Sequence, residues 1–173
     1  GSSWNIIATP GTGKINAITA DTRGVVFAGG ETDFGFLRPD PPGRLAWYSL
    51  AELIIDTASA GVRNPITSVV ADSNAVFFTD GKRLYRIASA ADSVSVTDLE
   101  RDFGISSVSA MVFFDNRIFI ADNRKGLFVS EGVTIERIPG GEKAAGSRFV
   151  RMLPYDRDNL IIAAAGKGLM LFN

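Results

Sequence analysis

Cysteine and histidine are both missing from the 173 residues. Their absence excludes disulfides, a thiolate nucleophile, Cys/His metal sites and every histidine-based triad or acid–base relay. Any chemistry falls to carboxylates, lysines, serines and tyrosines. A charge balance of one sign is missing too: 18 basic against 19 acidic side chains leave a formal net charge of -1. Nucleic-acid binders show a basic excess or stripe, so no nucleic-acid, polyanion or membrane-surface partner is expected. No run approaches the roughly 18 apolar residues that cross a bilayer, so no membrane insertion by this segment is expected. No basic start leads into an apolar stretch, which leaves no signal peptide to read. There is no initiator methionine, and Gly1, Ser2 and Ser3 read as the remnant of an expression tag, so a mature piece or an excised domain is expected.

What is present suits a folded protein. Hydrophobic residues make up 46% and charged residues 21%, and the length fits one domain with a sizeable core, taken here as residues 1–173. The strongest signal is an internal repeat. The stretches VVFAGG from Val25, AVFFTD from Ala75, RIFIAD from Arg117 and NLIIAA from Asn159 share one form. Each follows an aspartate that closes another apolar run, and these aspartates, Asp21, Asp72, Asp115 and Asp156, are 51, 43 and 41 residues apart. Each apolar strand is followed in turn by a second shared feature: GFL from Gly35, RLY from Arg83, GLF from Gly126 and GLM from Gly168.

Written out, each repeat is an apolar strand, an aspartate turn, a very apolar strand, a short turn, a third strand and a more variable fourth. Short segments rich in Val, Ile and Phe between Asp, Asn, Gly and Ser turns read as strands, not helices. Two stretches differ. SLAELIIDTAS from Ser49 has near-helical apolar spacing and a capping-box pair, Ser49 and Glu52, and reads as one short helical turn or an extended loop. GGEKAAGSR from Gly140 reads as a mobile loop.

Four-stranded units of about 40–50 residues are the signature of a β-propeller. The fold expected is therefore all-β, a propeller or propeller fragment of about four four-stranded blades, with repeats over about 14–60, 61–103, 104–147 and 148–173. The fourth repeat has three strands. Residues 4–9, WNIIAT, are the candidate for its missing outer strand, which would build the last blade from both chain ends. The favoured reading is instead a fragment or half-ring of a larger propeller, whose open sheet faces have to be covered by dimerisation or in another way; a closed four-bladed ring comes second and another sheet arrangement, such as a sandwich, third.

The stretch from Ile15 to Leu50 resembles a blade of the propellers in the sensor regions of hybrid two-component regulators. The residues that carry the likeness are Ile15, Ala17, Ile18, Asp21, Gly24, Gly29, Gly30, Phe34, Gly35, Phe36, Leu37, Gly43, Leu45, Tyr48, Ser49 and Leu50, with Phe36 in place of the usual tyrosine. The later repeats carry a reduced pattern, at Asp115, Ile120, Ala121, Gly126 and Leu127, and again at Asp156, Ile162, Ala163, Gly168 and Leu169. The resemblance implies a periplasmic or extracellular sensory module of a bacterial membrane protein, some of whose relatives detect carbohydrates. The sandwich domain, membrane helix and kinase that follow such propellers are not in this sequence. The family has no agreed catalytic set, so the resemblance brings no catalytic residue.

Several residues invite sharper readings. The repeat aspartates are best explained as turn acceptors of backbone N–H groups, because the same position in every repeat favours a fold role. PGTGK from Pro10 departs from the phosphate-loop spacing and precedes a strand, so its glycines are read as turn formers. DNRKG at Asp122–Gly126 and DRDN at Asp156–Asn159 lack the distant glutamate of a calcium loop; neither a metal nor any other cofactor is expected. Trp4, Trp47 and Tyr48 could stack on sugars, but packing between blades explains them better. The turns between the second and third strands gather on one rim of a propeller. There they present Glu31, Asp33, Lys82, Arg124, Lys125 and Lys167, a mixed-charge set suited to a carbohydrate or peptide ligand.

The reading is a sensory, ligand-binding or protein-interaction module without catalysis, coupled to downstream domains of its parent protein. One alternative is a propeller-type polysaccharide lyase or glycosidase. The other is a structural self-association domain that forms a homodimer through exposed blade edges.

Overall fold

The computed structural model describes residues 4–54, 64–72, 74–88, 93–131 and 134–173. The fold is all-β. Among the described residues there are four antiparallel sheets, three of four strands and one of three. The chain separates into two compact units. The first comprises Gly1–Phe78 with Arg86–Ser95, and the second Thr79–Tyr85 with Val96–Asn173.

In the first unit, β1 (Ile15–Ala20), β2 (Val26–Gly30), β3 (Phe34–Pro39) and β4 (Leu45–Ser49) form one sheet in chain order. The antiparallel register sets Thr19, Phe27, Phe36 and Tyr48 in one cross-strand row. Side chains alternate across a sheet, so this row shares a face with Gly29 and Phe34. That face packs on the next repeat: Phe78 lies 4.6 Å from Phe34 and 6.5 Å from Phe27, ring centre to ring centre. Gly29 has to be glycine here, since a Cβ would come within 2.4 Å of Ile66.

The next sheet runs β5 (Ser68–Ala71), β6 (Ala75–Thr79), β7 (Arg83–Ala88) and β8 (Ser95–Asp98), in that order. Its second strand has both faces largely buried, as the very apolar AVFFT requires. The expected helical turn after Ser49 is a single 3-10 turn, Ala51–Leu53. It lacks a capping box, because the Ser49 hydroxyl donates to Asp33 instead of capping. Ile54 then forms a parallel bridge with Val94, and the rest of the anticipated segment lies outside the described residues.

In the second unit, a five-residue helix, α1 (Leu99–Phe103), follows β8. The sequence reading gave this segment no helix. Asp98 caps the helix by accepting from the Arg101 N–H, and Gly104 ends it in the left-handed conformation, φ 67°. The third sheet comprises β9 (Val108–Phe114), β10 (Arg117–Asp122), β11 (Gly126–Glu131) and β12 (Thr134–Arg137). The segment expected to be a mobile loop holds a 3-10 turn, Gly141–Ala144, with Gly141 and Ala144 buried. Burial of its small residues against Leu127 and Ile138 is what fixes it.

The fourth sheet is β13 (Arg148–Pro154), β14 (Leu160–Ala165) and β15 (Gly168–Phe172). Phe149, Met152, Leu160 and Ile162 on its packed face share a core with Ala110, Val112 and Phe119 of the third sheet. The N-terminal segment does not form the fourth strand expected of it. Residues 4–9 carry no strand, and Trp4 and Ile6 are 96% and 99% exposed. They lead instead into the turn at Pro10–Lys14, where Thr12 is buried beside the first sheet.

Candidate functional site

The aspartates at the first turn of each repeat act as turn acceptors in three cases. Asp21 accepts from the N–H groups of Arg23 and Val25, both at 2.9 Å, and its second oxygen holds the Arg23 guanidinium at 2.7 and 2.9 Å. Burial works to raise its pKa, but the Arg23 hydrogen bonds and the two backbone donors outweigh it and hold the carboxyl below the usual range. Asp72 accepts from Asn74 and Ala75, and Asp156 from Asp158 and Asn159. At Asp156 the Asp158 N–H and the Asn159 side chain lower the pKa. Asp115 departs from the pattern. It and Asn116 have positive φ, 50° and 57°, between the paired ends Phe114 and Arg117. That two-residue hairpin turn needs left-handed residues at both positions, which Asp and Asn tolerate. Asp115 therefore turns its side chain outward to Arg117 at 2.9 Å.

A second set of aspartates is buried beneath the turns between second and third strands: Asp80 follows β6, Asp122 ends β10, and Asp33 directly precedes β3. In the first unit, Asp33 accepts from the Phe34 N–H at 2.8 Å, the Ser49 hydroxyl at 2.8 Å and the Trp47 indole at 3.1 Å. In the second unit, Asp80 accepts from the N–H groups of Lys82 and Arg83 at 3.0 and 2.8 Å, and from the Tyr85 hydroxyl at 3.0 Å. Asp122 accepts four backbone donors, from Ser106, Ser107, Arg124 and Lys125, at 2.7 to 3.0 Å. A buried carboxylate is tolerable only with such a full set of partners. Burial, with the Asp80 charge beside it, pushes the Tyr85 phenol up to about 12.

These carboxylates fix the turns that carry the rim residues expected from sequence. Asp33 is itself committed to the scaffold of the first sheet. Glu31 stays exposed on the same turn, which is tied to Thr12 through the Glu31 and Thr32 N–H groups. Gly30 lies so close to this crossing that a Cβ would fall 2.4 Å from the Thr12 carbonyl. In the second unit Lys82, Arg124, Lys125 and Lys167 are all exposed, on the β6–β7, β10–β11 and β14–β15 turns. Lys82 pairs with Glu100 at 2.9 Å, and the Lys125 ammonium lies over Gly104. Asp80 and Asp122 stand in the sequence as the terminal aspartates of AVFFTD and RIFIAD, but their burial and anchoring role were not read from it. The fourth repeat has Ala164 at that place.

Sequence reasoning also missed a cavity of about 420 Å³ in the first unit. Phe27, Phe36, Leu53 and Ile87 are among its apolar walls, and Asp21, Arg23 and Asp72 supply its polar atoms. Both aspartates are already engaged in their turns, so the cavity is mainly an apolar one. Tyr48 stacks on Phe36 of the same sheet at 5.5 Å and carries the Arg38 guanidinium 4.2 Å above its ring, packing within a blade where packing between blades was expected, and Trp4, expected to pack in the same way, is exposed. Among the described residues no group of three or more acidic side chains could hold a metal ion. No described helix is long and apolar enough to cross a membrane.

No family model matches the chain, and no curated protein matches it. Solved structures do. The computationally designed Ika4 protein matches with a TM-score of 0.66 at 14% identity, over 99% of this chain and 98% of that one. Virginiamycin B lyase from Staphylococcus aureus matches with a TM-score of 0.61 at 14% identity, over 96% of this chain and 57% of the lyase. The extracellular domain of BT4673 from B. thetaiotaomicron, assigned to a hybrid two component system, matches with a TM-score of 0.64 at 15% identity, over 96% of this chain and 22% of that one. The chain thus spans nearly all of Ika4, about half of the lyase and a smaller part of the extracellular domain. Taken with the four sheets, these likenesses show the β-propeller fold, one shared with extracellular domains of two-component systems.

Proposed function

We propose that the chain is a sensory propeller module of a larger bacterial signalling protein, placed in the periplasm or outside the cell. It recognises a polar ligand, a carbohydrate or a peptide, on the turns between its second and third strands. One observation carries this reading: buried, fully bonded aspartates hold these turns rigid while exposed charges stand on them. A rigid turn loses little entropy when its side chains engage a ligand. Each unit offers its own contacts: Arg124, Lys125 and Lys167 on the turns of the second, and Glu31 on the turn of the first, which Asp33 supports from beneath. The fold likeness to a two-component extracellular domain supports the same reading. Occupancy would bias how the module packs on downstream parts of its parent protein.

The test is a thermal-shift and calorimetric screen against oligosaccharides and short peptides, with chromatography of each mixture to detect product. The expected result is a ligand that raises the melting temperature, leaves no product and loses affinity in Glu31→Ala and Arg124→Ala. Turnover of a polysaccharide would favour a lyase or glycosidase instead. Unchanged affinity in both variants would move the site off these turns.

A further inference from the structure

Two sheet faces of the chain carry exposed apolar side chains. In the fourth sheet, Leu153, Ile161 and Leu171 form one cross-strand row, and Arg151, Ala163 and Leu169 stand in the next on the same face. Leu169 is 74% exposed. In the first sheet, Ile18 stands across from Ala28, and Val26 from Leu37. Ile18 is 61% exposed. The opposite faces of both sheets are packed, one against Phe78 and Ile66, the other into the core shared with the third sheet.

The repeat relates these two faces. Setting VVFAGG on NLIIAA brings Phe27 onto Ile161 and Ala28 onto Ile162. Ile162 is a buried member of the core with the third sheet, so its side of a blade is turned to the preceding blade. Phe27 packs on Phe78 of β6, so its side is turned to the following one. The uncovered face of the first sheet is thus of the kind that meets a preceding blade. The uncovered face of the fourth sheet is of the kind that meets a following blade. They are the two halves of one blade-to-blade contact, the contact this chain already makes within each unit.

We infer that a second copy of this chain supplies both missing neighbours. The first sheet of each copy stacks on the fourth sheet of its partner, and two equal contacts close a dimer. A two-fold pairing engages both faces of each copy at once, and that closure keeps them from extending into a filament. The size agrees: this chain matches 57% of a single-chain lyase, so two copies bring together about as many sheets as one propeller of that length.

Sedimentation equilibrium of the whole chain tests the inference, together with Ile18→Lys and Leu171→Lys, one on each face. The expected mass of the unaltered chain is twice 18.5 kDa. Each variant alone gives the monomer mass with an unchanged far-UV spectrum, and an equal mixture of the two regains the dimer, because one contact remains intact. A monomeric unaltered chain would overturn the inference. So would a dimer that Ile18→Lys leaves whole, a mixture that stays monomeric, or species that grow beyond the dimer with concentration. If either lysine variant loses its spectrum, Ala20→Glu and Leu169→Gln probe the same two faces more gently and are read in the same way. Ligand binding on the strand two–three turns is scored separately, so its failure leaves this result standing.

Discussion

The Tyr85 hydroxyl donates to the Asp80 carboxylate at 3.0 Å, and both residues are buried. The same carboxylate holds the turn at Lys82 and Arg83 from within. The bond joins the third strand of a repeat to the turn that begins it, and it sets the first prediction.

Burial and Asp80 push the Tyr85 phenol up to about 12, against an ordinary value of 10.0. A group whose pKa is raised by folding stabilises the fold below its unfolded value and loses that contribution as the pH passes through the folded value. Stability should therefore fall as the pH climbs from about 10 towards about 12. Ultraviolet titration of the phenolate should show a late step that Tyr85→Phe removes. A native chain whose late step survives in Tyr85→Phe would contradict the assignment.

Asp21 gives an acid-side counterpart. Its carboxyl lies below the ordinary 3.8 in the fold, so its contribution is present above that value and is lost as the pH falls through the folded one. Replacing Asp21 with Ala leaves two backbone donors and the Arg23 guanidinium without their acceptor. Denaturant unfolding at neutral pH should show a loss of about 1–3 kcal/mol, and the deficit should shrink as the pH is lowered into the titration range.

Two glycines separate backbone conformation from crowding. Gly126 and Gly166 both have positive φ, 92° and 80°. A Cβ on Gly166 meets open space, whereas one on Gly126 would lie 2.0 Å from the Gly141 carbonyl oxygen. Gly166→Ala should cost roughly 1–2 kcal/mol, the usual left-handed penalty. Gly126→Ala should cost well over that, roughly 4 kcal/mol or more. Thermal unfolding of the two variants side by side decides this, and equal losses would contradict the close approach.

On the first-sheet turn, scaffold and binding roles should separate. Asp33→Ala removes the acceptor of Trp47, Ser49 and Phe34 and should lower stability by roughly 2–3 kcal/mol. Glu31→Gln sits on the surface and should stay within about 0.5 kcal/mol of the unaltered chain, while still reducing affinity for the ligand. A calorimetric titration paired with a melting curve reads both effects.

The blades were legible because strand periodicity and the repeat point the same way. Val25–Gly30 and its three counterparts each became the second strand of a sheet. Less was legible where a short segment depends on its neighbours. LERDF follows a strand and carries an Asp98 cap and a Gly104 stop, yet a five-residue helix offers too short an apolar pattern to read. Gly140–Gly146 looks mobile from its glycines, although burial of Gly141 and Ala144 fixes a turn there. Glu31, Lys82, Arg124, Lys125 and Lys167 are exposed on short turns, as the sequence pattern placed them. What the sequence could not reveal was the burial of Asp33, Asp80 and Asp122. It depends on partners such as Trp47, Tyr85 and Ser106, which only the fold brings within reach.

Amide chemical-shift mapping of the isotopically labelled chain during titration with the oligosaccharide or peptide from the screen tests the functional account most directly. The account predicts the largest shifts at Glu31, Arg124, Lys125 and Lys167, with the turns at Asp21, Asp72 and Asp156 unmoved. Shifts confined to those first turns, or to the residues lining the apolar cavity of the first unit, would contradict it.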